Sequence, residues 1–222
     1  MDKNTEQYKI DSTVSYYKIV AWLKDKNVKT LYKNDPQEHE EVQKEIIKLL
    51  RQYVEIARIQ DKDGMNIGML AGKAHLEDVV IETLKDPIAP LQLDNKGMNI
   101  GMWSAINSLE EAILLALDNP IASIQQADNG NNIGMLAFGL HKRPSLKALD
   151  NPIASVQQND NGDNIGIIAA SHGYKEATIK ASKNPEAMGQ RNRHGYGIAF
   201  YAEERGLKLP EQSSTTTPSS SK

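Results

Sequence analysis

The residues best suited to chemistry are acidic clusters around glycines, five scattered histidines and a recurring glycine-asparagine motif. Asp61-Lys62-Asp63-Gly64 and Asn159-Asp160-Asn161-Gly162-Asp163 carry oxygen donors of the kind that bind calcium. Placing each glycine at the sixth position of a calcium loop puts Ile59 or Gln157 at the first ligand, and Leu70 or Ile168 where a bidentate glutamate belongs. Both ends of the loop fail. His39-Glu40-Glu41-Val42-Gln43 lacks the second histidine of a helical zinc motif, while His75, His141, His172 and His194 are far apart in sequence. Gly64-x-Asn66-x-Gly68 precedes a helix as a phosphate loop would, yet it recurs four times, and an active site is usually single. No nucleophile elbow, phosphate loop or dinucleotide fingerprint is present. The chain is expected to be no enzyme, with no cofactor and no metal.

Composition narrows the class further. The chain has 222 residues and no cysteine, so disulfide, thiolate-zinc and cysteine-nucleophile chemistry are absent. A net charge of -3 gives no electrostatic reason to seek nucleic acid. The apolar run Ile19 to Leu23, between Lys18 and Lys24, is too short for a membrane span or a signal-peptide core. The expected setting is cytoplasmic, or a host cytosol if the chain is exported, with no membrane insertion.

The elements that position these residues are set by a period. Gly64, Gly97, Gly130, Gly162 and Gly195 are spaced by 33, 33, 32 and 33 residues, and Pro87, Pro120, Pro152 and Pro185 by 33, 32 and 33. Two markers drifting together define repeat units. Each unit reads as a short helix capped by the asparagine of Gly-x-Asn-Ile-Gly, a turn, a second helix that stops before proline, and an extended arm to the next glycine. The first unit places its helices over Ile67 to about Ala74 and about Glu77 to Leu84. Helices this short are stable only when stacked, since roughly 12 to 15 residues are marginal in isolation. Gly68, Gly101, Gly134 and Gly166 are expected to let neighbouring first helices approach closely.

These units resemble the ankyrin repeat. Ala169-Ala170-Ser171-His172-Gly173-Tyr174-Lys175-Glu176-Ala177 is similar to that family's Ala-Ala-x-x-Gly-His-x-Glu-Ile, and Asp61 and Asp94 fall on its aspartate position. The Thr-Pro-Leu-His segment is replaced by Asn-Ile-Gly-Met or Asn-Ile-Gly-Ile. The resemblance covers about Ile59 to Lys208 and implies an all-α, helix-turn-helix solenoid of four full repeats plus a truncated fifth. The divergent motif is also similar to ankyrin proteins exported by intracellular bacteria.

Residues 1–58 are expected to form an N-terminal helical cap. Asp11-Ser12-Thr13 would start one helix and Asp35-Pro36 another, the latter carrying Val42, Ile46, Leu49, Leu50, Tyr53 and Ile56. The repeat stack spans 59–208, and 209–222 is a disordered Ser/Thr tail. From Ile59 to Asp163 there are seven Lys and Arg against fourteen Asp and Glu, whereas Asn164 to Lys208 holds seven against four. The stack is acidic first and basic last.

The resemblance implies a non-catalytic scaffold that is monomeric alone and binds another protein through loop tips and the first-helix face. The tip positions are Lys62, Asp63 and Met65; Asn95, Lys96 and Met98; Asp128, Asn129 and Asn131; Asp160, Asn161 and Asp163; Arg193, His194 and Tyr196. Lys73, Asn107, Ser171, His172 and Arg205 are the helix-side candidates. Met65, Met98 and Tyr196 are expected as anchors, because adaptable or aromatic apolar groups dominate interfaces. The other reading is a secreted effector that regulates a host or bacterial enzyme, with activity in its N-terminal helices.

Overall fold

Four asparagines start four equivalent helices. Asn66, Asn99, Asn132 and Asn164 are extended in backbone, and each Oδ1 accepts from the N–H three residues on, at 2.8–3.1 Å. The bond satisfies one of the free donors that any helix start leaves. The computed structural model describes residues 3–25, 35–138 and 142–210, and the described residues contain helices and no strand.

The helices are α1 (Lys3–Lys24), α2 (Pro36–Gln52), α3 (Ile67–Lys73), α4 (Glu77–Leu84), α5 (Ile100–Ile106), α6 (Glu110–Asp118), α7 (Ile133–Ala137), α8 (Lys142–Ala148), α9 (Ile165–Ser171), α10 (Lys175–Ser182), α11 (Pro185–Gly189) and α12 (Ile198–Glu204). First helices α3, α5, α7, α9 and α12 pack in sequence, and second helices α4, α6, α8 and α10 form a parallel row behind them. Ile67, Ile100, Ile133, Ile165 and Ile198 recur at one register, all fully buried between layers. Each such side chain contributes about 2–3 kcal/mol through burial, which is what holds seven-residue helices in place.

The glycine after each of the first four isoleucines sets the spacing. A Cβ on Gly101 would lie 2.5 Å from Ile133 of the next unit and 2.7 Å from Ala116 of its own second helix. No larger residue fits there without moving a layer.

Residues 3–24 form one helix through Asp11-Ser12-Thr13. The expected cap is therefore helix interior: the Ser12 and Thr13 hydroxyls bond back to the Lys9 carbonyl at 3.0 and 2.8 Å. α2 does begin at Pro36, with Asp35 Oδ1 accepting from Glu38 N–H. α1 packs on α3 and α2 on α4, so the pair occupies the place of a preceding unit.

The arms after the prolines are not extended at their start. Asp86, Asn119, Asn151 and Asn184 each accept two following backbone N–H groups, which winds the chain into a short turn first. After Asn184 that turn lengthens into α11, with Pro185 at its first position. Unit three is one residue short, and there α7 ends at Ala137 with Phe138 extended. Leu209 packs against the cluster of Ile167, Ala170, Ala181, Ala187 and Ile198, while the rest of the expected tail, 211–222, lies outside the described residues.

Candidate partner-binding surface

Each unit projects a tight hairpin ahead of its first helix. In the first, Asp61 N–H donates to Met65 O and Gly64 N–H to Asp61 O, with Gly64 at φ +76°. Left-handed geometry is costly for residues with a Cβ, which is why glycine holds this position. Asp61 Oδ1 also accepts from the N–H groups of Asp63 and Met65, and Asp94, Asn159 and Asn192 repeat this arrangement. Ala127 cannot, and Asn129 Oδ1 there receives Asn131 N–H instead.

The hairpins are tied to one another. Asn95 N–H donates to Asp63 O, Asp128 N–H to Lys96 O, Asp160 N–H to Asn129 O and Arg193 N–H to Asn161 O, at 2.8–3.0 Å. Lys62, Asp63, Asn95, Lys96, Asp128, Asn129, Asp160, Asn161, Arg193 and His194 are all exposed on this ladder.

Beneath the tips runs a second, buried ladder that the sequence reading missed. Each capping asparagine uses its Nδ2 to reach forward, to the carbonyls of Ala89, Ala122, Ala154 and Ala187 and to the Oε1 of Gln92, Gln125, Gln157 and Gln190. Each glutamine then donates backward, to Arg58, Leu91, Ile124 and Val156 carbonyls at 2.6–2.8 Å. The signal was available: those glutamines recur at 33, 32 and 33. These bonds make the tips a rigid row, because every buried polar group in the path is paired.

The expected anchors need correction. Met65 and Met98 are only 4% and 8% exposed. The fifth hairpin residue folds under the first-helix face, with Met65 Sδ 4.0 Å from Lys73 Nζ, so neither methionine is free to seat a partner. Asn131 and Asp163, at the same register, are half-buried and accept from Asn159 and Asn192 side chains of the next unit. Only Tyr196, in the last unit, is exposed at that register.

Along the first helices, Lys73 is half-buried with its ammonium 5.1 Å from the Trp103 ring centroid, and Trp103 Nε1 donates to Asp94 Oδ2 at 2.9 Å. Asn107 is half-buried and bonds back to the Trp103 carbonyl. Ser171 bonds to Ile168 O, and His172 is exposed and stacked 5.9 Å from Tyr174. Arg205 is exposed at the end of α12. Trp103 was not among the expected contact residues, although it is one of only two tryptophans in the chain. Its neighbours on that face, exposed Ile106 and half-buried Leu136, extend the apolar centre of the surface.

Charge is distributed unevenly. Near the N-terminal end Arg51 donates twice to Glu82 at 2.9 and 3.0 Å, Arg58 pairs with Asp86, and Lys24 Nζ lies 2.7 Å from Asp61 Oδ2. The Arg51 hydrogen bonds hold the Glu82 carboxyl down to about 2. Burial pushes Asp61 and Asp86 up, but their cations and the backbone N–H groups outweigh it and hold both below the usual carboxylate range. A separate cavity of about 720 Å³ opens at the helix-turn end of units three and four, lined by Phe138, Leu146, Tyr174 and Ile179, with a Lys142–Glu176 pair among its walls.

Among the described residues, no three His, Asp or Glu side chains converge as a metal site, and no helix is long and apolar enough to cross a membrane. No protein-family model and no curated protein matches the chain. A solved structure does. A chain from the complex of the Bd0816 predatory endopeptidase of Bdellovibrio bacteriovorus with the immunity protein Bd3460 is similar in fold, with a TM-score of 0.56 over 82% of this chain and 93% of that one, at 18% identity.

Proposed function

We propose that this protein is a non-catalytic, ankyrin-like interaction scaffold whose hairpin tips and first-helix face bind another protein. The observation that carries the reading is the pair of hydrogen-bond ladders, which present five hairpin tips as one pre-ordered row. A surface fixed before binding loses little conformational freedom on docking. Trp103 with Lys73, and Tyr196 with Arg193, supply the aromatic and cationic groups that dominate protein interfaces.

A second reading concerns the partner. The similar fold comes from a complex of a peptidase with an immunity protein, and an enzyme is accordingly one kind of protein partner we propose for this chain. On that reading the scaffold is a regulator, as the effector alternative also holds.

Affinity capture with the wild type, Trp103→Ala and Arg193→Ala/Tyr196→Ala tests the proposal. A discrete protein held by the wild type and lost by variants of unchanged circular dichroism is expected. Equal retention by all three would overturn it.

A further inference from the structure

The last unit breaks the pattern that the other four keep. Met69, Met102, Met135 and Ile167 are 0–5% exposed under the following unit, whereas Phe200 at the same register is 39% exposed. The Cβ directions of Gly64, Gly97, Gly130 and Gly162 meet the next hairpin within 3.2 Å, and that of Gly195 meets nothing within 4 Å among the described residues. Asn161 O receives an N–H from the next hairpin, while the equivalent His194 carbonyl receives none from the described residues.

The buried ladder is also closed off here by sequence. Gly197 replaces the forward-reaching asparagine, and Arg191 Nη1 fills the space, donating to the carbonyls of Met188, Gly189 and Gln190. The end is therefore sealed against a further unit of the same kind, and its face is only partly made polar as a solenoid terminus ordinarily is: Glu203 is exposed at the register where Ala105 and Ala170 are buried, while Tyr196 and Phe200 keep the rest of the face apolar. Tyr196 and Phe200 stack at 4.0 Å and 8°, with Tyr201 edge-on at 5.9 and 5.4 Å. Arg193 on the last hairpin, and Arg205 and Lys208 just after α12, are exposed and have no carboxylate partner among the described residues.

We propose that this end face is a docking site for an acidic segment of a partner protein, with an apolar side chain seated on the Tyr196–Phe200 plate. The partner's carboxylates meet Arg193 and Arg205, and its backbone can donate to the His194 carbonyl. The inference rests on the scaffold reading and adds the kind of partner. Aromatic plates with arginines also bind single-stranded nucleic acid, but that requires a continuous basic track. Here Asp160 and Asp163 stand on the adjacent hairpin and Glu203 and Glu204 on α12 itself, so the basic field is local. A second copy of this face would bring like charges together.

The test is a fluorescence titration of the full chain with three probes: a short Asp/Glu-rich peptide with one central Leu-Phe pair, its Lys counterpart, and oligothymidylate. Saturable binding of the acidic peptide alone is expected, weakened about tenfold by Arg193→Glu and by Phe200→Ser. Because Arg193 is exposed, its variant keeps the result readable even if Phe200→Ser unfolds. Lys48→Ala, on the exposed face of α2 at the other end of the fold, is expected to leave peptide affinity within about twofold. No binding of the acidic peptide, equal binding by Arg193→Glu, or preference for oligothymidylate overturns the inference. Protein capture through the hairpins could survive that result, so the two failures are distinguishable.

Discussion

At the N-terminal end of the stack Arg51, Arg58 and Lys24 each meet a carboxylate of the repeats, and α1 and α2 cover the first unit. At the C-terminal end, among the described residues, a single helix closes the row, three cations stand without acidic partners, and Tyr196 and Phe200 are exposed. Both ends solve the same problem, a unit with no neighbour. One does so by spending its charges inside the fold, the other leaves them for something else. The contrast separates an end whose charges are paired within the fold from one whose cations and aromatic rings are exposed.

Substitution of glycines probes the contrast most strongly. Gly101→Leu forces side-chain atoms into Ile133 and Ala116 and is expected to cost about 3 kcal/mol in urea unfolding. Gly195→Ala meets open space and carries only the strain of φ +81°, about 1 kcal/mol. Equal losses would mean that the last face is covered after all. Asn132→Ala removes the cap on α7 and leaves Gln157 Oε1 and the Ala154 carbonyl short of a donor, a loss of about 2 kcal/mol. Gly197→Asn has no next unit to reach, and its Cβ would lie 2.5 Å from Arg191 Nη1 and 2.7 Å from the Gln190 carbonyl, so a loss of stability is expected in the same assay.

Acid should act on the N-terminal end first. Glu82, Asp61 and Asp86 all have lowered values in the fold, so their contribution is complete above the ordinary carboxylate range and is lost as pH falls. For Glu82 the window runs from 4.5 down to about 2. Hydrogen exchange between these limits is expected to rise in α2 and α4 before α9 and α12, and uniform loosening would contradict the asymmetry. A gain is expected at Tyr16, whose buried hydroxyl has no partner among the described residues. Tyr16→Phe should raise stability by about 1 kcal/mol, read from the thermal midpoint.

Much of this architecture was legible in the sequence because two markers, glycine and proline, recur with the units. The helix over 77–84, the last helix from Ile198 and the positive φ of the hairpin glycines follow from those markers and from local cap chemistry. What periodicity cannot give is which side of a hairpin the next unit covers. Met65 and Met98 therefore looked like anchors until the stacking direction was known, and Trp103 was not among the expected contact residues. Ser12 and Thr13 misled for a related reason: a capping residue type inside a long helix bonds to its own preceding turn.

The central claim is that recognition lies on the hairpin row and its open C-terminal end, and that the N-terminal end is structural. Affinity capture with the wild type, Arg193→Ala/Tyr196→Ala and Arg51→Ala, run side by side, tests it most directly. The account predicts one protein retained by the wild type and Arg51→Ala and lost by the C-terminal variant. A protein lost only with Arg51→Ala, or retained equally by all three, would contradict it.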